Sequence, residues 1–121
     1  MTKTLLVATH NQGKVSEYAD MLSDLDINWQ SLDDIDLKQD VEETGLTFLE
    51  NALLKASSYA KSAGCLTLAD DSGLVVDALD GAPGVHTARY GGQELSSQER
   101  YEFLLSNLED VPPDERTARF V

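Results

Sequence analysis

The sequence predicts an α/β fold, because its first 22 residues follow the order strand, polar turn, helix. Residues 3–8 form a short, mostly apolar run that is typical of a buried strand. A polar, glycine-containing turn follows at residues 9–13. Residues 14–22 then place apolar side chains at the spacing of one helix face, namely Val15, Tyr18, Ala19 and Leu22. This order is the usual opening of an α/β unit.

A long second helix has the clearest pattern in the chain. Thr47 and Glu50 match a capping box, which predicts the helix start, and Gly64 after Ala63 predicts a left-handed stop. Its apolar residues, apart from Leu54, fall within a stripe of roughly 140°, which predicts the buried face. That stripe comprises Phe48, Leu49, Ala52, Leu53, Ala56, Tyr59, Ala60 and Ala63. Asn51 and Lys55 lie one turn apart at one edge of the stripe.

The remaining elements are shorter. Strands are predicted at residues 27–32, 65–69 and 74–76, and a second capping box, at Ser96 and Glu99, predicts a helix to about Leu108. The acid-rich segment 33–43 is interpreted as a solvated connector, including Asp33, Asp34, Asp36 and Asp40. A strand begins at residues 117–121, where the sequence stops, so we expect a single domain over 1–121 that is truncated at its C-terminus.

Composition limits the possible functions. A chain of 121 residues with 41% hydrophobic and 26% charged residues is ordinary for one globular domain. Its net charge of −13 disfavours nucleic acids and anionic membranes as partners. No run approaches the roughly 20 apolar residues of a membrane-spanning helix. Cys65 is the only cysteine; it is expected in the core and fits a cytoplasmic location.

The turn after the first strand is a candidate phosphate site. Backbone N–H groups at a helix start attract anions, and Gly13 allows close approach of the backbone. Lys14 adds a mobile positive charge, and Thr9 and Asn11 can donate hydrogen bonds. A P-loop is excluded, because the earlier glycine is absent and Val15 occupies the Ser/Thr position. The alternative is an ordinary strand–helix turn.

A pair of acids, Asp70-Asp71, ends the third predicted strand. Neighbouring strand residues point to opposite faces, so we expect one carboxylate to face a ligand and the other to brace the turn. Carboxylate oxygens of this kind suit Mg²⁺, which usually takes one or two of them plus substrate phosphates. An Asx turn before Ser72 is the alternative. A carboxylate from Glu42 or Glu43 is a further candidate ligand, and Lys55 gains interest only beside a phosphate site.

Taken together, these motifs resemble the inosine triphosphate pyrophosphatase (Ham1-like) family, which acts on non-standard purine nucleoside triphosphates. Four blocks carry the resemblance, and their order and spacing match along essentially the whole chain. The blocks are Ala8-Thr9-His10-Asn11-Gln12-Gly13-Lys14-Val15, Glu42-Glu43-Thr44-Gly45-Leu46-Thr47-Phe48-Leu49-Glu50-Asn51-Ala52, Ala69-Asp70-Asp71-Ser72-Gly73-Leu74, and Gly81-Ala82-Pro83-Gly84-Val85 with Ala88-Arg89-Tyr90.

The resemblance implies an elongated α/β fold with a central mixed sheet flanked by helices, and a homodimer. It implies Mg²⁺-dependent hydrolysis of ITP, dITP and XTP to the monophosphate and pyrophosphate. Asp71 would be the metal-linked acid and general base, and Glu42, or alternatively Glu43, would assist with the metal. The substrate would be bound by Thr9, His10, Asn11, Gln12, Gly13, Lys14, Lys55 and Ser72.

The sequence departs from the family at its end. Family members continue beyond Val121 with a Phe-Gly-Tyr-Asp block and a Ser-His-Arg block that help recognise the base, and neither block is present here. A non-catalytic nucleotide- or metal-binding fragment is therefore an alternative. A Maf-like nucleotide pyrophosphatase is another, although the Glu-Glu-Thr-Gly and Asp-Asp-Ser-Gly blocks fit it less well.

Overall fold

The computed structural model of the protein describes residues 2–121, and its elements fall into two compact units. One unit ends at Asp71, and the other comprises Ser72–Val121. No helix within residues 2–121 has both the length and the apolar character needed to cross a bilayer.

The first unit is a three-stranded parallel sheet with two helices. Its elements are β1 (Lys3–Val7), α1 (Gln12–Met21), β2 (Ile27–Ser31), α2 (Phe48–Ala63) and β3 (Leu66–Leu68). The strand order is β2-β1-β3, and Val7 pairs with Ser31 on one side and with Leu68 on the other. Because the strands are parallel, the segments that follow β1 and β3 emerge at the same edge of the sheet.

A small apolar core supports this sheet. Leu6, Leu32 and Tyr59 are its most buried members. Partly buried side chains pack around them, namely Ala8, Ile35, Leu37, Val41, Ala63 and Cys65. The prediction that Cys65 belongs to the core is therefore confirmed.

The second unit pairs its strands antiparallel. It contains β4 (Leu74–Val76), α3 (Ser97–Ser106) and β5 (Ala118–Phe120), with 3₁₀ turns at Asp77–Leu79, Gly84–Arg89 and Pro113–Glu115. Both halves of the predicted capping box of α3 are present. The α/β class is confirmed. The parallel and antiparallel pairing expected in one central mixed sheet is divided between the two sheets.

Helix α2 differs from its sequence pattern in two respects. The Thr47 side chain accepts from the N–H of Glu50 as predicted, but the Glu50 carboxylate accepts from the N–H of Leu46 rather than from that of Thr47. The predicted buried stripe is also wrong at Leu49 and Leu53, which are 68% and 60% exposed. The other six residues of the stripe are buried or partly buried, and the packed face extends to Asn51 and Lys55 at the edge of the stripe.

Candidate functional site

The turn between β1 and α1 is organised by its own polar side chains. Asn11 is the N-cap of α1, and its side-chain oxygen accepts from the N–H of Gly13 at 2.8 Å. The hydroxyl oxygen of Thr9 accepts from the N–H of Asn11 at 3.0 Å. A Cβ on residue 13 would lie 3.0 Å from the Asn11 oxygen, so glycine keeps this turn tight.

Two other turn residues tie the turn to the end of β2. His10 Nδ1 lies 2.6 Å from Asp33 Oδ1, and Gln12 Nε2 donates to the buried Ser31 hydroxyl at 2.7 Å. Asp34 in turn accepts from the N–H of Ser31 at 2.7 Å. Asp33 and Asp34 are exposed, as a solvated connector predicts, but both carboxylates also make defined contacts beside the turn.

Lys14, Tyr18 and Asp70 form a cluster that we call the Lys14 centre. Lys14 and Tyr18 are one helical turn apart on α1, so both reach the same carboxylate. Lys14 Nζ donates to Asp70 Oδ1 at 3.1 Å, and the Tyr18 hydroxyl donates to Asp70 Oδ2 at 2.8 Å. The side chains of Lys14 and Asp70 are each 39% exposed. The centre is thus well ordered yet open to solvent.

The contacts of the Lys14 centre shift two pKa values. Burial, the hydrogen bond to Asp70, and the charges of Asp70 and Glu17 raise the pKa of Tyr18 from 10.0 to about 12. Burial alone would raise the pKa of Asp70, but the hydrogen bonds from Tyr18 and Lys14 and the charges of Lys14 and Lys55 outweigh it. The pKa of Asp70 consequently lies below its ordinary value of 3.8, and its carboxylate is ionised at neutral pH.

Glu43, Lys55 and Asp71 form a second cluster, the Lys55 centre. Lys55 Nζ lies 3.5 Å from Glu43 Oε1 and 4.0 Å from Asp71 Oδ1. The side chains are more enclosed than those of the Lys14 centre, with exposed fractions of 17% for Lys55, 27% for Glu43 and 10% for Asp71. Glu42, in contrast, is exposed.

Helix α2 also holds the segment that carries Glu43. Asn51 is fully buried, and its side-chain oxygen accepts from the N–H of Gly45 at 2.7 Å. A Cβ on residue 45 would lie 2.6 Å from Glu50 Cβ and 3.1 Å from the backbone nitrogen of Asn51, so only glycine fits. Asn51 Nδ2 has no hydrogen-bond partner within residues 2–121.

The two neighbouring aspartates therefore face different helices. Asp70 contacts Lys14 and Tyr18 of α1, whereas Asp71 lies near Lys55 of α2. Ser72 is exposed and begins the second unit. Sequence reasoning missed the contact of Tyr18, which it placed only on the apolar face of the helix. Its spacing of four residues from Lys14 places both side chains on one helix face, but it does not indicate that Asp70 meets them.

Two carboxylates can share a cation here. Within residues 2–121 no group of three or more histidine, cysteine, aspartate or glutamate side chains is arranged to hold a metal ion. Glu43 and Asp71 nevertheless flank one positive charge, the Lys55 ammonium. Because Mg²⁺ commonly takes one or two carboxylates and completes its shell with phosphate oxygens and water, this donor set fits such an ion.

The model of the Ham1 family matches residues 5–121. The chain belongs to the Ham1 family. It is 49% identical over 118 residues to a dITP/XTP pyrophosphatase of Vibrio vulnificus strain YJ016, covering 98% of this chain and 58% of that relative. It is 52% identical to the dITP/XTP pyrophosphatase of Escherichia coli O157:H7, covering 96% and 58%.

Solved structures of Ham1 proteins agree with the fold. The Ham1 protein of Staphylococcus aureus matches with a TM-score of 0.83 at 39% identity, and that of Coxiella burnetii with 0.86 at 40%. Each match covers 98% of this chain and 59% of the solved chain. The chain thus spans about 58% of the length of the curated relatives that it matches.

Proposed function

We propose that the chain forms part of a nucleoside triphosphate pyrophosphatase that hydrolyses dITP, XTP and ITP to the monophosphate and pyrophosphate. Its relatives in Vibrio vulnificus and Escherichia coli are dITP/XTP pyrophosphatases, which supports this proposal. The observation that carries the proposal is the parallel pairing of Val7 in β1 with Leu68 in β3. This pairing brings the turn after β1 and the Asp70-Asp71 pair to the same edge of the sheet.

In this proposal the turn after β1 binds the phosphate chain. The Lys14 ammonium would provide positive charge, the Thr9 hydroxyl and the Asn11 side-chain amide would donate, and Gly13 would let the backbone come close to the phosphate. His10 and Gln12 belong to the same turn, and their contacts with Asp33 and Ser31 position it. Lys14 can turn from Asp70 to a phosphate oxygen at small cost, because a half-exposed ion pair contributes little stability.

Asp71 would perform the central chemical step. Its carboxylate would orient a water molecule and take its proton as the water oxygen bonds to the α-phosphorus and pyrophosphate leaves. Lys55 and Ser72 would contact the substrate. Asp71 would also hold Mg²⁺ together with Glu42 or Glu43, and we favour Glu43 because it shares Lys55 with Asp71. A bound Mg²⁺ would neutralise phosphate charge and polarise the phosphoryl group.

The remaining expectations also stay proposals. The family resemblance favours a homodimer, and the single cysteine, Cys65, favours a cytoplasmic location. The net charge of −13 favours a small anionic substrate that arrives with a metal over a nucleic-acid or anionic membrane partner.

One assay tests the proposed activity. The protein is incubated with Mg²⁺ and ITP, dITP, XTP, ATP or dTTP, and released pyrophosphate is measured. We expect release from ITP, dITP and XTP only, and a loss of roughly 10²–10⁴-fold in turnover for Asp71→Asn, the range of general acid–base catalysis. Circular dichroism confirms that the variant is folded. Equal release from ATP, or an Asp71→Asn variant of undiminished turnover, would contradict the proposal.

A non-catalytic nucleotide-binding role is the second candidate, because the Lys14 ammonium beside the turn after β1 can hold a phosphate without any chemical step. Calorimetry separates it from the first. Binding of ITP with Mg²⁺ but without pyrophosphate release would favour the binding role. Release from ITP would exclude it.

A further inference from the structure

Tyr18 donates its hydroxyl hydrogen to a carboxylate that is also bound by a lysine of the same helix. We infer that Tyr18 is a positioning residue for Lys14: it fixes the Asp70 carboxylate, and that carboxylate fixes the Lys14 ammonium beside the phosphate turn. The inference rests on the proposed phosphate-binding role of Lys14 and extends it to a residue outside the turn.

The geometry leaves each oxygen of Asp70 with its own donor. Oδ2 receives the Tyr18 hydroxyl at 2.8 Å, so Oδ1 is the oxygen that remains for Lys14, at 3.1 Å. A carboxylate held at both oxygens by donors from one helix has little freedom to rotate. Its plane therefore determines where the flexible lysine side chain ends.

This arrangement also leaves hydrogen-bonding capacity for a ligand. An ammonium group has three N–H donors, and Asp70 takes one of them through a single oxygen. If the phenol were absent, Asp70 could rotate and engage Lys14 with both oxygens. Lys14 would then be drawn toward Asp70 and would offer fewer donors to phosphate. Tyr18 thus limits the competition between Asp70 and an anionic ligand.

The test removes only the hydroxyl group. Tyr18→Phe keeps the ring and its packing. A matched control is Tyr59→Phe, which also loses one tyrosine hydrogen bond in the same unit, to the Gln39 carbonyl at 2.8 Å. Binding of ITP with Mg²⁺ is measured by calorimetry in an Asp71→Asn background, in which hydrolysis is slow, and KM and kcat are measured by pyrophosphate release with Asp71 intact. Lys14→Ala serves as the reference for loss of the lysine itself.

We expect Tyr18→Phe to raise Kd and KM by about three- to tenfold with kcat unchanged, in keeping with the loss of one hydrogen bond that acts only on binding. Tyr59→Phe should leave Kd within about twofold of the wild-type value. In an Asp70→Ala background, Tyr18→Phe should change Kd by less than about twofold, because the group through which it acts is gone.

The outcomes separate this inference from the proposed function. If Lys14→Ala binds ITP weakly, either of two results would overturn the inference and leave the proposed function intact. One is an unchanged Kd in Tyr18→Phe, and the other is an equal change in Kd on Tyr18→Phe with and without Asp70. If Lys14→Ala binds as tightly as the wild type, the phosphate-binding role of Lys14 fails, and the inference fails with it.

Discussion

The Lys14 centre and the Lys55 centre each pair a helical lysine with one of two consecutive aspartates, yet they differ in enclosure and contact distance. Lys14 is half-exposed and lies 3.1 Å from Asp70, which a phenol also holds. Lys55 is mostly enclosed and lies 3.5 and 4.0 Å from two carboxylates. The Lys14 ammonium is therefore accessible to an anionic ligand. The Lys55 ammonium lies between two carboxylates, where a metal ion could replace it.

The difference follows from solvation. An exposed ion pair contributes about 0–1 kcal/mol, so Lys14 can move to a ligand without destabilising the fold. Removing the cation from enclosed carboxylates destabilises the folded protein, because their negative charges are left without a counter-charge. Glu43 and Asp71 therefore require a positive charge beside them. One centre is thus suited to binding an anion and the other to exchanging one cation for another.

Removing each lysine should give the largest contrast. We expect Lys55→Met to lower the free energy of unfolding by roughly 2 kcal/mol, less than for a fully buried pair because the site is partly exposed. Lys14→Met should cost at most about 1 kcal/mol. Urea unfolding with and without Mg²⁺ measures both, and Mg²⁺ should restore stability in Lys55→Met only. Equal losses of unfolding free energy in the two variants, or a Lys55→Met variant whose stability does not change with Mg²⁺, would remove the distinction between the centres.

Replacing Gly45, near the Lys55 centre, and Gly13, next to the Lys14 centre, by alanine should give a smaller difference in stability. A Cβ at Gly45 meets Glu50 and the backbone of Asn51, so Gly45→Ala should cost about 1–3 kcal/mol. A Cβ at Gly13 meets only a side-chain oxygen of Asn11, and alanine favours helix, so Gly13→Ala should stay within about 1 kcal/mol of the wild type. Thermal unfolding measures both variants. A more damaging Gly13→Ala would reverse this order.

The titration of Tyr18 should give the smallest change in stability, and it reports on the Lys14 centre alone. Its pKa is raised from 10.0 to about 12, so its contribution to stability is complete below pH 10 and is lost as the pH rises through about 12. Asp70→Asn should lower the pKa of Tyr18 toward 10, followed by the ultraviolet absorbance of tyrosinate. Asp71→Asn is the control and should leave this pKa in place. An equal shift in both variants would show that the centres are not separate.

Local signals predicted the elements of the fold well. Thr47, Gly64 and the box formed by Ser96 and Glu99 mark helix ends through contacts within a few residues, and all three are present as predicted. Apolar spacing predicted most of the packed face of α2, but not the exposure of Leu49 and Leu53 or the burial of Asn51. Polar contacts such as that of Asn51 with Gly45 depend on where the preceding segment lies.

The site was predictable in its parts but not in its pairing. The turn after β1, the paired aspartates and Lys55 could be selected from the sequence by residue type and by position at strand ends. Which aspartate meets which lysine depends on the backbone direction at the end of β3, which no local pattern specifies. The contact of Tyr18 with Asp70 spans 52 positions and was not predictable for the same reason.

The most direct test of the division between the two aspartates is Mg²⁺ binding by matched variants. Asp70→Asn and Asp71→Asn each remove one carboxylate charge from neighbouring positions. Mg²⁺ is titrated into each protein in the presence of pyrophosphate, and its Kd is measured by calorimetry. We expect Asp71→Asn to weaken Mg²⁺ binding by about tenfold or more and Asp70→Asn by less than about threefold, since only Asp71 is a proposed ligand. Equal weakening of Mg²⁺ binding in the two variants, or a larger effect of Asp70→Asn, would contradict the proposal that Asp71 and not Asp70 binds the metal.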